Sequence, residues 1–269
     1  MNQPLKDFEG RIVVISGGTR GIGWRCAQLF AERGAQVLAC GHDEAEIERA
    51  RAGAPDGVHV RHMDVRDEAS VASLFARDPL AAGAGVDALV NCAGIQRLGN
   101  AEQTTLEDWN AVLAVNVTGA FLASKYAVGA MRRRGGGAIV NLSSIHARVT
   151  GGSRVAYVAS KTALLGLTRA MAMDHAAENI RVNVILPGTI DTPMITEAWA
   201  LLRPDRTADQ MRADVGRANP IGRMGFPDDV ANAVVFLCSS QASFITGAEL
   251  CVDGGITQKL ALPVVPTRS

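Results

Sequence analysis

Apolar residues along the chain fall into two patterns. Short, mostly apolar runs rich in Val, Ile, Leu and Ala occupy residues 11–16, 36–40, 58–62, 86–91, 138–142, 181–186 and 249–252. Between them, apolar residues recur every three or four positions across 24–33, 43–52, 68–77, 106–133, 153–177 and 227–239. The runs predict seven strands and the recurrences predict helices. Gly34 stops the first helix, and Pro227 falls in the first turn of the last. Residues 192–217 are polar and mixed, and read as helix in pieces forming a lid.

Strands that are apolar throughout are covered on both faces, and strands that alternate with helices pair in parallel. The pattern therefore predicts an α/β chain with a single-domain doubly wound Rossmann fold. Its sheet has seven parallel strands with helices on both faces. No linker, internal repeat or low-complexity segment divides the sequence, so one domain is expected over 1–269, with its core at 8–255. The tail, 256–269, holds Pro263 and Pro266 and reads as extended or as an arm towards a neighbouring subunit.

Composition narrows the function classes. Apolar residues make up 48% of the 269 and aromatic residues only 4%, which suits close packing by Ala, Val, Leu and Gly. The formal charge is zero, with no basic stripe for nucleic acid and no acidic tail. The arginines at 132–134 precede three glycines and read as a helix end. Five cysteines (Cys26, Cys40, Cys92, Cys238, Cys251) lack metal-ligand spacing and read as buried thiols in a reducing compartment; no metal is expected. The first residues lack the apolar core of a signal peptide, and no apolar run reads as a membrane span, so a cytoplasmic protein is expected.

Chemistry concentrates at two places. The first strand runs into Gly17-Gly18-Thr19-Arg20-Gly21-Ile22-Gly23 and then a helix. Gly17 permits a tight turn, Gly21 lets backbone approach a pyrophosphate, and Gly23 lets the helix pack closely. The helix N-terminus offers free N–H groups and partial positive charge to the phosphates. The second strand ends in Cys40-Gly41-His42-Asp43, with no acid at its tip. Arg20 and His42 would meet a 2′-phosphate, which favours NADP over NAD, while Asp43 could cap the next helix. The second place is Tyr157 and Lys161. Their four-residue spacing stacks a phenol and an ammonium on one helix face. A nearby cation favours the phenolate, and a tuned tyrosine can pass a proton to or from a substrate oxygen.

Five local patterns together resemble the short-chain dehydrogenase/reductase superfamily over nearly the whole chain. The glycine motif appears as Ser16-Gly17-Gly18-Thr19-Arg20-Gly21-Ile22-Gly23, with Ser for the usual Thr. Asn91-Cys92-Ala93-Gly94 matches Asn-Asn-Ala-Gly, with Cys for the second Asn. Tyr157 and Lys161 match Tyr-x-x-x-Lys, and Ser144 stands thirteen residues before that Tyr. Asn116 matches the Asn of the long helix, and Pro187-Gly188 with Thr192 matches the segment that holds the nicotinamide. The resemblance implies Tyr157 as general acid/base and Lys161 as the group that depresses its pKa and bonds the nicotinamide ribose. It implies Ser144 as donor to the substrate oxygen, and Asn116 as holder of a proton-path water. It also places Asp64, Val65, Asn91, Ala93, Gly94, Pro187, Gly188, Ile190 and Thr192 at the dinucleotide, with Thr19, Ile22 and Gly41.

The implied reaction is interconversion of a secondary alcohol and its ketone. The alternatives are a 3-oxoacyl-thioester (acyl-carrier-protein) reductase and, more distantly, a non-catalytic dinucleotide-binding protein. Gln96, His146, Arg154 and Trp199 are candidate substrate contacts, with Leu201 a further apolar contact from the lid. Their mixed polarity suits a hydroxylated ring, a polyol or a sugar. Small residues on the long helices (Ala120, Ala127, Ala163, Gly166, Ala170) predict close helix packing between subunits, and a homotetramer is expected.

Overall fold

The computed structural model describes residues 6–259. All seven strands form one parallel sheet in the order β3-β2-β1-β4-β5-β6-β7. They are β1 (Ile12–Ser16), β2 (Gln36–Gly41), β3 (Val58–His62), β4 (Ala88–Asn91), β5 (Gly137–Leu142), β6 (Ile180–Pro187) and β7 (Glu249–Val252). Successive residues of β1 serve opposite cores. Val13 and Ile15 pack with α1 (Gly21–Glu32), α2 (Glu44–Ala52) and α10 (Pro227–Cys238). Ile12 and Val14 pack with α3 (Glu68–Arg77), α6 (Gly119–Arg133) and α7 (Val155–His175). The strand-to-strand alternation of side chains thus feeds two apolar layers.

The register brings the strand ends level. Ser16 pairs with Cys40 on one side and Asn91 on the other, and Asn91 pairs with Asn141. Strand order reverses between β1 and β4, so a crevice opens there at the carboxyl edge, where ligands bind in this architecture.

Departures from the predicted boundaries have local causes. β4 starts at Ala88, just after Asp87, whose backbone still bonds Ile12 O and Ala138 N and whose carboxylate accepts from Ile12 N at 2.8 Å and pairs with Arg11 and Arg134. A short helix, α4 (Pro79–Gly83), was hidden in the sequence by its length; Asp78 caps it at Leu80 N. The helix expected over 106–133 is two, α5 (Leu106–Leu113) and α6, joined by a π-helical turn at Ala114–Thr118. Its composition also corrects the membrane reading: Leu106–Arg133 is long and apolar enough to span, with hydropathy 1.4. Half of that stretch is buried here, its apolar positions on α6 packed into the sheet's core. The lid segment forms α8 (Pro193–Leu202) and α9 (Ala208–Ala218). From residue 260 the tail lies outside the described residues.

Candidate active site

The glycine-rich turn lines a cleft of about 360 Å³ at the β1–β4 crevice. Gly17 has φ +65°, and a Cβ there would lie 2.7 Å from the backbone of Ala93. A Cβ on Gly23 would collide with Gly17 O, so this glycine seats α1 on the turn without itself facing the cleft. No side chain caps the start of α1, which leaves its first N–H groups to an anion. Thr19, Arg20, Gly21, Ile22, Gly41, His42, Asp64, Val65, Ala93, Gly94 and Thr192 line the same cleft, as the sequence suggested. An open glycine turn at an uncapped helix start suits a dinucleotide pyrophosphate.

Four assigned residues stand elsewhere. Asn91 is buried behind the cleft, where its Nδ2 donates to Asn141 Oδ1 (2.8 Å) and Ser124 Oγ (3.0 Å). Pro187 ends β6 opposite Val252. Ile190 is buried in the core. Gly188 lines the neighbouring cavity described below. These were placed by motif, and a motif does not say which way a side chain faces. The cleft also gains Asp43, Glu46, Met63 and Arg66. Asp43 does cap α2, accepting from Glu46 N at 2.8 Å. Glu46, on the first turn of α2, pairs with Arg20 at 3.2 Å, and Glu197 of α8 meets the same guanidinium at 3.3 Å. Hydrogen bonding to Arg66 holds the Asp64 carboxyl down at about 2.

The catalytic candidates gather at the end of β5. Ser143 and Ser144 separate cleanly: Ser143 Oγ donates to Lys161 O at 2.7 Å, whereas Ser144 faces a cavity beside Tyr157. Lys161 is buried under Tyr157. Its Nζ donates to Leu142 O at 2.8 Å and lies 5.6 Å from the centre of the tyrosine ring. Burial lowers Lys161 to about 8. Burial also raises Tyr157, against which the Ser144 hydroxyl and the charge of Arg154 pull downwards. Arg154, three residues before it, thus adds a second cation beside the phenol, while Lys161 Nζ lies over the tyrosine ring as the i, i+4 spacing suggested. Burial loosens the hold of Lys161 on its proton, which the spacing argument did not include.

Asn116 sits in the π-helical turn. Its Oδ1 accepts from Ile95 N at 2.8 Å, and its Nδ2 donates to Ile95 O at 3.0 Å and Ser160 Oγ at 2.9 Å. Both amide protons are spent on protein, so the side chain fixes the loop after β4 against α7, and Oδ1 alone keeps a lone pair with which to accept from a water.

Ser144 and Tyr157 open into a cavity of about 140 Å³. Gln96, His146, Arg154 and Trp199 all line it, with Met194, Leu202 and Val215. Leu201, expected here, is 75% exposed on the far side of α8; the following leucine takes its place. Helical phase decides this, and the mixed segment gave no phase. Met194 lines both the cleft and the cavity, so the two recesses meet there. Among the described residues no group of three or more His, Cys, Asp or Glu could hold a metal ion.

Residues 17–257 match a family profile described as Enoyl-(Acyl carrier protein) reductase. The chain belongs to the short-chain dehydrogenase/reductase family. Its members are oxidoreductases, and this one acts on a CH–OH group and its carbonyl. D-threitol dehydrogenase of Mycolicibacterium smegmatis is 38% identical over 257 residues, covering 94% of this chain and 95% of its own. Cis-4-hydroxycyclohexanecarboxylate dehydrogenase of Sinomonas cyclohexanicum is 38% identical over 253 residues, 93% and 98% of the two chains. The ligand-free aldohexose dehydrogenase of Thermoplasma acidophilum superposes with a TM-score of 0.88 at 32% identity, over 97% of this chain and 99% of that one. Membership implies a nicotinamide dinucleotide, and the cleft residues fit one.

Proposed function

We propose that this protein oxidises a secondary alcohol on a small hydroxylated ring, polyol or sugar to the ketone. The observation that carries the reading is the compact cavity at Ser144 and Tyr157, which shares Met194 with the nucleotide cleft. A long acyl thioester would need a more open channel than one walled by Trp199, Leu202 and Val215. Relatives named for threitol, a hydroxycyclohexanecarboxylate and an aldohexose support the same size class.

When bound, the nicotinamide accepts hydride from the carbinol carbon. The protein's part is the proton. Tyr157 Oη takes it from the alcohol as the carbonyl forms, and Ser144 Oγ donates a hydrogen bond to the same oxygen while charge develops there. Lys161, with a pKa of about 8, takes up or releases a proton near working pH beneath the phenol. The glycine turn and α1 hold the pyrophosphate, and Thr192 closes the cleft from the other side.

NADP is the proposed cofactor, on the strength of Arg20 and His42 in the cleft wall. Glu46 favours NAD as a second reading, because its carboxylate neutralises Arg20 and can accept from a free ribose hydroxyl. We further propose a cytoplasmic homotetramer whose lid, α8 and α9, closes over the substrate. Ala163, Gly166, Ala170 and Met173 stand exposed along α7, and Phe121 stands exposed on α6. Ala120 and Ala127, expected in the same role, are buried against the sheet.

The decisive experiment follows reduced-nicotinamide formation with NAD and NADP across secondary alcohols, cyclic diols, polyols and aldoses. Turnover of one class supports the reading. Silence on all of them, with reduction of 3-oxoacyl thioesters, would replace it. A monomeric mass in solution scattering would sink the tetramer.

A further inference from the structure

The cavity is lined by a cation that has no carboxylate partner among the described residues. Arg154 forms no ion pair among the described residues, and its Nε is buried without a hydrogen-bond partner. Its one polar side-chain contact is a long one, Nη1 to Gly152 O at 3.4 Å. His146 repeats the pattern on the facing loop: it lines the same cavity, and its Nδ1 is buried and unpartnered. Buried polar atoms without partners are costly and uncommon in folded proteins. Two in one small cavity beside the reacting groups, the Arg154 donor and a ring nitrogen of His146, mark a place for a polar ligand.

The backbone around Arg154 is fixed for such a task. Gly99 and Arg154 form a parallel bridge; Gly99 N donates to Ser153 O at 3.0 Å, and Arg154 O accepts from Val158 N at 2.9 Å. Ser153 sits at φ +61°, an uncommon conformation for serine that turns the chain into α7. Arg154 and Tyr157 are three residues apart, so both side chains rise from one side of the helix start. Gln96, on the loop after β4, adds an amide to the same wall.

We infer that the substrate of the proposed dehydrogenase is a hydroxy acid, whose carboxylate is held by Arg154 while its hydroxyl lies between Ser144 and Tyr157. This rests on the alcohol-oxidising reading and deepens it. A guanidinium presents paired donors that match a carboxylate. One unpaired cation balances one negative charge, and His146, kept neutral by burial and by Arg154 itself, supplies hydrogen bonding without further charge. A neutral polyol would leave the charge of Arg154 unbalanced beside the reacting groups.

Binding to the dinucleotide-loaded protein tests this without turnover. Cyclohexanecarboxylate, benzoate and butyrate are each titrated against the matching carboxamide by calorimetry. At least one acid should bind ~10-fold or more tighter than its amide, as a charge-assisted pair predicts. Arg154→Gln should erase that preference, and Arg154→Lys should retain part of it. Equal binding of every acid and amide by the wild-type protein overturns the inference, whether or not the variants fold. Tighter binding of cyclohexyl phosphate than of any carboxylate overturns the choice of acid. If neutral alcohols turn over while acids show no preference, this inference fails and the proposed function stands. If no alcohol turns over but the acid preference is present, the failure lies with the reaction.

Discussion

Asn116 Nδ2 donates to Ser160 Oγ at 2.9 Å, and so pins the π-helical turn between α5 and α6 to the helix that carries Tyr157 and Lys161. Ser160 Oγ in turn donates to Tyr157 O at 2.7 Å. The same amide holds both backbone groups of Ile95. Asn116→Ala therefore strips partners from three buried or half-buried groups. It should destabilise the fold by about 1–3 kcal/mol in urea unfolding and lower kcat more than it raises KM. An unchanged kcat in a folded variant would show that the turn positions nothing.

Tyr157→Phe should reduce turnover by ~10²–10⁴-fold, the range for loss of a general acid or base, with dinucleotide binding little changed by fluorescence titration. For the wild-type protein, alcohol oxidation needs the phenolate. Burial sets the Tyr157 pKa above its ordinary value, so kcat/KM for oxidation should climb with pH through the alkaline range. Ketone reduction needs the phenol and should be flat there until it falls.

Lys161 gives a stability signature of its own. Its folded pKa of about 8 lies below the ordinary 10.5, so between those values the unfolded chain binds more protons than the folded one. From this group, stability rises as pH rises through that window and is lower below it. Urea unfolding of the dinucleotide-free protein at both ends of the window should show the gain, and Lys161→Met should remove it.

Cofactor choice turns on Glu46. Glu46→Gln leaves Arg20 with only the exposed Glu197 as partner. The ratio of kcat/KM with NADP to that with NAD should rise by roughly 10-fold, about the worth of a hydrogen bond to a charged group. A ratio that falls would place the ribose elsewhere.

Two glycines predict opposite outcomes. Gly23→Ala drives a methyl into Gly17 O and should abolish dinucleotide binding. Gly129, in the middle of α6, has open space where a methyl would stand, with nothing within 4 Å, so Gly129→Ala should stabilise by about 0.5–1 kcal/mol and leave kinetics alone.

Much of this was legible in the sequence because it depends on periodicity and backbone. Val58–His62, Glu68–Arg77 and Glu249–Val252 fall where the apolar pattern puts them. Gln96 and His146 follow strands, Arg154 starts α7 and Trp199 comes from α8, and all four meet in one cavity. What the pattern does not carry is side-chain phase and long-range company. Leu201 and Leu202 are indistinguishable until α8 is docked. Asn91 reads as a cofactor residue until Asn141 and Ser124 are seen to claim its amide. Burial, which lowers Lys161 and raises Tyr157, is likewise not reported by spacing along a helix.

That cleft and cavity share Met194 has an evolutionary reading. The hydride-handling half is built from strand ends and the glycine turn, where almost any change disturbs the sheet. The alcohol-selecting half is built from the Gln96 loop, the His146 turn, the start of α7 and the detachable pair α8–α9. Selection can redraw the second half by point changes while the strand ends and the glycine turn of the first stay in place.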